Sequence, residues 1–148
     1  MTPTPTSPTP TSARQPEQVP QITEELTAAF KQALIDPLDQ QITRLLDSIG
    51  PRMTAAALGL KDSRMLLRWQ AGDPPRRSDV PHRADALAEV VYAVTAVYPG
   101  SVAASFLRSG QPALDGHSPL LLVRDAPDDD LPALQDRLRT AVRAFLEG

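Results

Sequence analysis

The chain of 148 residues contains no cysteine and only two histidines, and these absences remove whole classes of function. Without cysteine, disulfide bonds, thiolate metal sites and a cysteine nucleophile are excluded. The two histidines lie far apart in sequence, which argues against a histidine-based metal cluster. No apolar run reaches the roughly 18 residues that span a bilayer, and the N-terminus lacks the basic and apolar regions of a signal peptide. We therefore predict a cytoplasmic protein that uses no metal or other cofactor and has no membrane partner.

Aromatic residues are also scarce, and charge is unevenly spread. Aromatics make up 4% of the chain against 41% hydrophobic residues, so the core must consist mainly of Ala, Leu, Val and Ile. The net charge is −3, yet residues 50–83 hold seven basic and three acidic residues, a local charge of +4. The segments on both sides are acidic. A local basic patch is typical of phosphate contact, so the sequence favours a nucleic-acid interface within 50–83.

The chain divides into a low-complexity leader and a helical remainder. Residues 1–20 contain six prolines and no apolar periodicity, which predicts a disordered leader, with a recognition tail or phosphosite as the functional alternative. The remainder shows helical periodicity and no strand-type alternation. We predict an all-α fold with a first helical domain over 21–83 and a second over 84–148.

Several helix boundaries follow from capping residues. Asp36 is predicted to cap a helix that has Pro37 at its first position, and Ser101 to cap a later one. The segment "LLLVRDA" could be a short helix or a strand, since its periodicity does not distinguish them. An amphipathic helix is predicted to end the chain, with Leu134, Leu138, Val142, Phe145 and Leu146 on one stripe.

The stretch "LGLKDSRMLLRWQAG" (58–72) has the features of a helix-turn-helix. Three alanines at 55–57 provide a small surface for close helix crossing, and Gly59 permits a sharp turn. Asp62 or Ser63 can cap the second helix. In that helix Leu66 and Trp69 share one face, with Met65 beside them. Arg64 and Arg68 are four residues apart and share the opposite face.

An apolar inner face with an arginine outer face suits a helix that reads the major groove of DNA. An arginine side chain can form two hydrogen bonds with one guanine, while lysine, other arginines and a serine hydroxyl can bind backbone phosphates. The alternative is an ordinary helical hairpin with solvated arginines. The predicted DNA-binding residues are Arg52, Lys61, Ser63, Arg64, Arg68, Arg76 and Arg77.

From about residue 50 onward the chain resembles the Xre/MbcA/ParS antitoxin family. "TAAALGLKDSRMLLRWQAG" is similar to the Xre-type helix-turn-helix of that family, and "FLRSGQPALDGHSPLLLVRD" is similar to a segment of its C-terminal region. The matching positions are the aromatic-Leu pair Phe106-Leu107, the loop residues Pro112, Leu114, Gly116, Ser118 and Pro119, and the apolar run 120–123. The leader and the acidic "DAPDDD" spacer depart from the family pattern.

The resemblance implies an antitoxin that forms a homodimer, represses its own promoter by binding operator DNA, and neutralises a RES-domain toxin that consumes NAD. In that case 21–83 is the Xre-type DNA-binding domain and 84–148 the toxin-binding and dimerisation domain. The C-terminal end would reach into the toxin. The predicted toxin-binding residues are Phe106, Leu114, Ser118, Pro119, Phe145, Leu146 and Gly148.

Other groups of polar residues in the sequence do not indicate an enzyme. Asp115, His117 and Ser118 are too close in sequence for triad roles and lack a nucleophile elbow, so we predict no catalytic residues. The acidic run 128–130 lacks the spacing of a calcium loop and suits a helix start. Two alternatives to the antitoxin remain. They are a stand-alone helix-turn-helix repressor without a toxin, and a protein-binding adaptor that has lost DNA binding.

Overall fold

The computed structural model describes residues 23–148, and within them every regular element is helical, which confirms the all-α class. The leader predicted over 1–20 lies outside the described residues. The α-helices are α1 (23–35), α2 (Leu38–Ile49), α3 (Pro51–Ala57), α4 (Arg64–Gln70), α5 (Val80–Thr95), α6 (Gly100–Arg108), α7 (Pro119–Asp125) and α8 (Leu131–Glu147). Two short 3₁₀ turns, Pro112–Leu114 and Asp128–Asp130, precede α7 and α8. No helix in this part of the chain is long and apolar enough to cross a membrane.

Helix α5 is the centre of the fold, and most of its side chains are buried. It packs against α2, α6, α7 and α8, while α2 also carries α3 and α4. One apolar core therefore runs from Leu26 in α1 to Val142 in α8. The boundary predicted at residue 83 falls inside α5, and the core continues across it. The basic and acidic segments thus share one packed body.

Two predicted helix starts are wrong. Pro37 and not Asp36 is the N-cap of α2, and the Asp36 carboxylate instead accepts a hydrogen bond from the Tyr92 hydroxyl at 2.6 Å. Burial and this hydrogen bond raise the pKa of Tyr92. Helix α6 begins at Gly100 after Pro99, one residue before the predicted Ser101 cap. Proline can occupy these positions because it needs no amide hydrogen there.

The start of α6 depends on glycine because it touches the end of α2. A Cβ at Gly100 would lie 2.2 Å from the Ser48 carbonyl oxygen. That contact is with backbone, so any side chain at residue 100 would force α2 and α6 apart. This close contact fixes the C-terminal half of the chain on α2, the helix that also supports α3 and α4.

Candidate nucleic-acid interface

Helices α3 and α4 follow one another across a short turn, and both pack on α2. Gly59 ends α3 with φ +74°, a conformation that glycine adopts without strain. The Leu60 amide donates to the Ala55 carbonyl at 2.9 Å, and the Gly59 amide donates to Ala56 at 3.1 Å. This pair of bonds is a Schellman motif, which satisfies the last carbonyls of α3. Ala55, Ala57 and Leu58 are buried beneath the turn, as the small surface of α3 predicted.

Helix α4 separates its faces as the sequence predicted. Leu66 and Trp69 are buried against the core, whereas the side chain of Arg64 is 88% exposed. Leu67 is 65% exposed on the outer side, and Met65, which was predicted to lie beside the buried pair, is exposed as well. Leu67 therefore lies between the exposed Arg64 and Arg68 on the outer side of α4.

Ser63 is the N-cap residue of α4, but its side chain makes no cap bond. The side-chain bond at the start of the helix comes instead from Asp62. Its carboxylate accepts the Arg64 amide at 2.9 Å and also pairs with the Arg64 guanidinium at 2.9 Å. These hydrogen bonds hold the pKa of Asp62 below its usual value. Asp62 therefore orders the start of α4 and partly neutralises the arginine predicted to read DNA.

Trp69 gives a stability prediction, because its buried indole Nε1 has no hydrogen-bond partner within residues 23–148. An unsatisfied buried donor costs free energy, and replacing it with an apolar group recovers that cost. We expect Trp69→Phe to change the free energy of unfolding by less than about 1 kcal/mol, whereas Leu66→Ala costs about 2–5 kcal/mol. Urea unfolding followed by circular dichroism measures both, since the substitution removes the chain's one tryptophan. A loss above about 3 kcal/mol for Trp69→Phe would contradict the expectation and show that the cavity left by the smaller ring outweighs the recovered cost of the unpaired donor.

The cations predicted to bind DNA fall into three groups, of which the first two are exposed on the surface and the third is Arg77. Arg52, Lys61 and Arg76 are exposed, and none of them makes an ion pair within the part of the chain that the structure describes. Arg64 pairs with Asp62, and Arg68 pairs with Asp73 at 3.4 Å, both on the surface. Both pairs lie in water on the surface, so a phosphate can compete with either carboxylate for its arginine.

Arg77 and Arg83 have structural contacts instead. The Arg77 guanidinium donates to the Gly59 carbonyl at 3.2 Å and pairs with Asp79 at 2.7 Å. Asp79 also accepts from the buried Arg83 at 2.7 Å, and Arg83 donates to the Val123 carbonyl in α7. The hydrogen bonds from Arg77 and Arg83 hold the pKa of Asp79 well below its usual range. This relay ties the turn to α5 and α7, and Arg83 adds nothing to the exposed charge.

Three of the seven residues predicted to bind toxin are interior. Phe106, Leu114 and Pro119 are buried. Ser118 is the N-cap of α7, and its hydroxyl accepts the Leu121 amide at 3.3 Å. These four side chains shape the loop and start α7, and "LLLVRDA" lies in that helix and its cap. His117 contacts the Leu114 carbonyl at 2.9 Å rather than Ser118.

The last turn of α8 remains partly accessible. Phe145 is 39% exposed, and its ring lies 4.9 Å from that of Phe106 and 6.4 Å from that of Tyr98. Leu146 is half-buried, and Gly148 is exposed. Tyr98 and its neighbour Val97 are also exposed apolar side chains. This end of the fold presents a small apolar surface formed by Val97, Tyr98 and Phe145.

Two clefts flank α7. A cleft of about 480 Å³ lies between α7 and α8 and is walled by apolar side chains such as Leu121 and Leu122, with Arg137 at its edge. A second, also about 480 Å³, lies between the Gly59 turn and α7. Arg124 lines the second cleft, and nothing in its local sequence pattern indicated that α7 would lie beside the turn.

Comparisons with known proteins assign the chain to no family. No family model matches the chain, and neither a curated protein nor a solved structure matches it.

Proposed function

We propose that this chain is an antitoxin-type regulator that binds operator DNA through α3 and α4 and neutralises a RES-domain toxin through its C-terminal region. The observation that carries the DNA half is the outer face of α4. Arg64, Leu67 and Arg68 point to solvent, while Leu66 and Trp69 hold the helix on the core. A rigid helix with an exposed arginine face after a glycine turn is the geometry that major-groove reading requires.

The surrounding charge supports the same proposal. Arg52 and Lys61 line a concavity of about 340 Å³ at the start of α4, together with Ser63 and one carboxylate, that of Asp62. Groups of this kind bind backbone phosphates and so fix the register of a recognition helix. The rest of the chain is acidic, which disfavours a general, sequence-independent attraction to DNA over its whole surface.

Binding of the full chain to its own upstream DNA tests this half. Fluorescence anisotropy with that DNA and with a scrambled duplex, each at several salt concentrations, should show specific binding that weakens as salt rises. Equal affinity for both duplexes would contradict operator recognition. No affinity for either would support the adaptor alternative.

Removing the charge of Asp62 should raise the affinity for DNA, whereas removing an arginine should lower it. Asp62→Asn keeps an oxygen that can cap α4 but removes the charge that holds Arg64 and repels phosphate. We expect DNA affinity to rise by about threefold to tenfold at low salt, with the gain shrinking at high salt. Asp73→Asn, which frees Arg68 instead, is the parallel variant. An unchanged or lower affinity for Asp62→Asn with an intact fold would mean that Arg64 does not contact DNA.

The toxin half of the proposal is supported by the resemblance of 106–123 and by the accessible end of α8. The exposed surface of Val97, Tyr98 and Phe145 is suited to a second copy of the chain or to the toxin, since such apolar groups favour burial. We propose a cytoplasmic homodimer in which this surface is covered. Light scattering of the full chain gives the oligomeric state.

The end of α8 allows a test that separates inhibition from folding. Phe145 covers Phe106, so deleting residues 144–148 would expose the core as well as remove the tip. Deleting only residues 147–148 removes two exposed residues and leaves that contact in place. Co-expression with a RES-domain protein encoded beside this chain should show lost neutralisation for the two-residue deletion, with dimer and DNA binding unchanged. Full neutralisation by this variant would contradict insertion of the C-terminal end. The absence of any such neighbour would favour the stand-alone repressor.

A further inference from the structure

The cleft between the Gly59 turn and α7 brings basic side chains together from three separate segments. Lys61 comes from the turn, Arg77 from the loop before α5, and Arg124 from α7. Asp125 is the one acidic residue in the lining, and the rest of it is Ala56, Gly59 and Leu60. The cleft therefore has an excess of positive charge and a floor of small or apolar groups, which suits an anionic group that enters from solvent.

Two of these cations are accessible to a ligand. Lys61 is exposed and makes no ion pair within residues 23–148. The Arg124 side chain is 46% exposed and donates two hydrogen bonds, of 2.7 Å and 3.0 Å, to the adjacent and exposed Asp125. Because this pair lies in water at the edge of the cleft, a phosphate that enters can compete with Asp125 for the Arg124 guanidinium. Arg77 is held by the Gly59 carbonyl and Asp79, and forms a fixed wall.

Lys61 connects this cleft to the outer face of α4. The same lysine lines the concavity that holds Arg52 and Ser63 on the other side of the turn. The two depressions therefore adjoin, and a phosphate backbone that contacts Lys61 would pass beside Arg124. A duplex carries a phosphate charge about every 1.7 Å of its axis, so neighbouring cations along one path are each within reach of a phosphate.

We propose that Arg124, together with Lys61, binds a backbone phosphate of DNA, so that the DNA interface extends from the helix-turn-helix onto α7. This deepens the proposed function and rests on its DNA half. It also gives α7 two roles, because Leu121 and Leu122 of the same helix wall the apolar cleft against α8. Asp125 lines both clefts, so a ligand in either one contacts the same residue.

Arg124→Ala in the full-length chain tests the proposal. Removing one phosphate contact should lower the affinity for every DNA sequence alike, by about twofold to tenfold, and reduce the slope of log K against log salt by about 0.9. Arg137→Ala is the matched control, since it removes an exposed arginine from α8 whose pair with Asp115 spans 3.8 Å. Unchanged affinity and slope for Arg124→Ala would overturn the proposal.

Two further measurements keep this result separate from the proposed function. The variant Arg64→Ala/Arg68→Ala, measured in parallel, should lose specific DNA binding. If it does so while Arg124→Ala binds DNA like the wild type, the proposed extension onto α7 is wrong, but the proposed role of α4 is retained. Titration with inorganic phosphate, followed by the amide resonance of Gly59, shows whether the cleft takes a free anion. A response to phosphate with an unchanged DNA salt slope in Arg124→Ala would also overturn the proposal.

Discussion

The double substitution Arg64→Ala/Arg68→Ala should lower specific operator affinity by at least about thirtyfold, which corresponds to roughly 2 kcal/mol. Both guanidinium groups lie on the exposed face of α4, four residues apart, and their ion pairs with Asp62 and Asp73 are exposed and weak. A bidentate contact with guanine contributes about 1–3 kcal/mol of discrimination, so losing both removes most of the difference from nonspecific DNA. Fluorescence anisotropy with specific and scrambled duplexes, at one fixed salt concentration, measures this loss of specific affinity.

The control is Arg108→Ala, which removes one positive charge from an exposed site near the end of α6. It should leave operator affinity within about twofold, because Arg108 lies outside the α3–α4 face. The double variant should also unfold at nearly the wild-type temperature, since neither arginine is buried. Wild-type affinity in a folded double variant would contradict the assignment of α4 to the groove.

Among the charged residues, Arg139→Ala has a large expected effect on stability, a loss of about 3 kcal/mol in the free energy of unfolding. Glu89 in α5 is only 2% exposed, and its carboxylate accepts from Arg139 at 2.7 Å and 3.1 Å and from Gln135 at 2.8 Å. Removing Arg139 leaves a buried carboxylate that Gln135 alone cannot compensate, so the penalty exceeds that of an exposed pair. Urea unfolding followed by tryptophan fluorescence gives the loss.

A neighbouring arginine and a double variant provide the comparison. Arg137→Ala should cost less than about 0.5 kcal/mol, because its pair with Asp115 is long and exposed. Glu89→Met/Arg139→Met should be more stable than Arg139→Ala, because both charges leave together and apolar side chains fill the space. A double variant as unstable as the single one would indicate that packing, rather than an unpaired carboxylate, determines the loss.

Local patterns in the sequence predicted the helical elements and the two faces of α4. The three-residue spacing of Leu66 and Trp69 and the four-residue spacing of Arg64 and Arg68 are enough to assign each side chain to a face. Capping was less predictable. Asp36 has the chemistry of an N-cap, yet its carboxylate accepts from Gln32 in α1 and from Tyr92, 56 residues away, and no local pattern indicates the contact with Tyr92.

The long-range contacts could not be derived from periodicity. The relay through Asp79 joins Gly59 to Val123, and the cleft at Arg124 exists because α7 packs beside α3. The count of seven basic residues in 50–83 also overstated the exposed charge, since Arg83 is buried and paired. Which cations face solvent depends on the tertiary packing of α5, which a segment-by-segment charge count does not contain.

The central claim is that the arginines of α4 read bases, and one binding matrix tests it most directly. Each base pair of the bound upstream site is substituted in turn, and every duplex is measured with the wild type, Arg64→Ala, Arg68→Ala and the control Arg108→Ala. If the claim is right, an arginine variant no longer discriminates at one guanine position while keeping wild-type discrimination elsewhere, and Arg108→Ala matches the wild type throughout. Uniform weakening at all positions for both Arg64→Ala and Arg68→Ala would show that these side chains contact only phosphates, and would contradict base reading by α4.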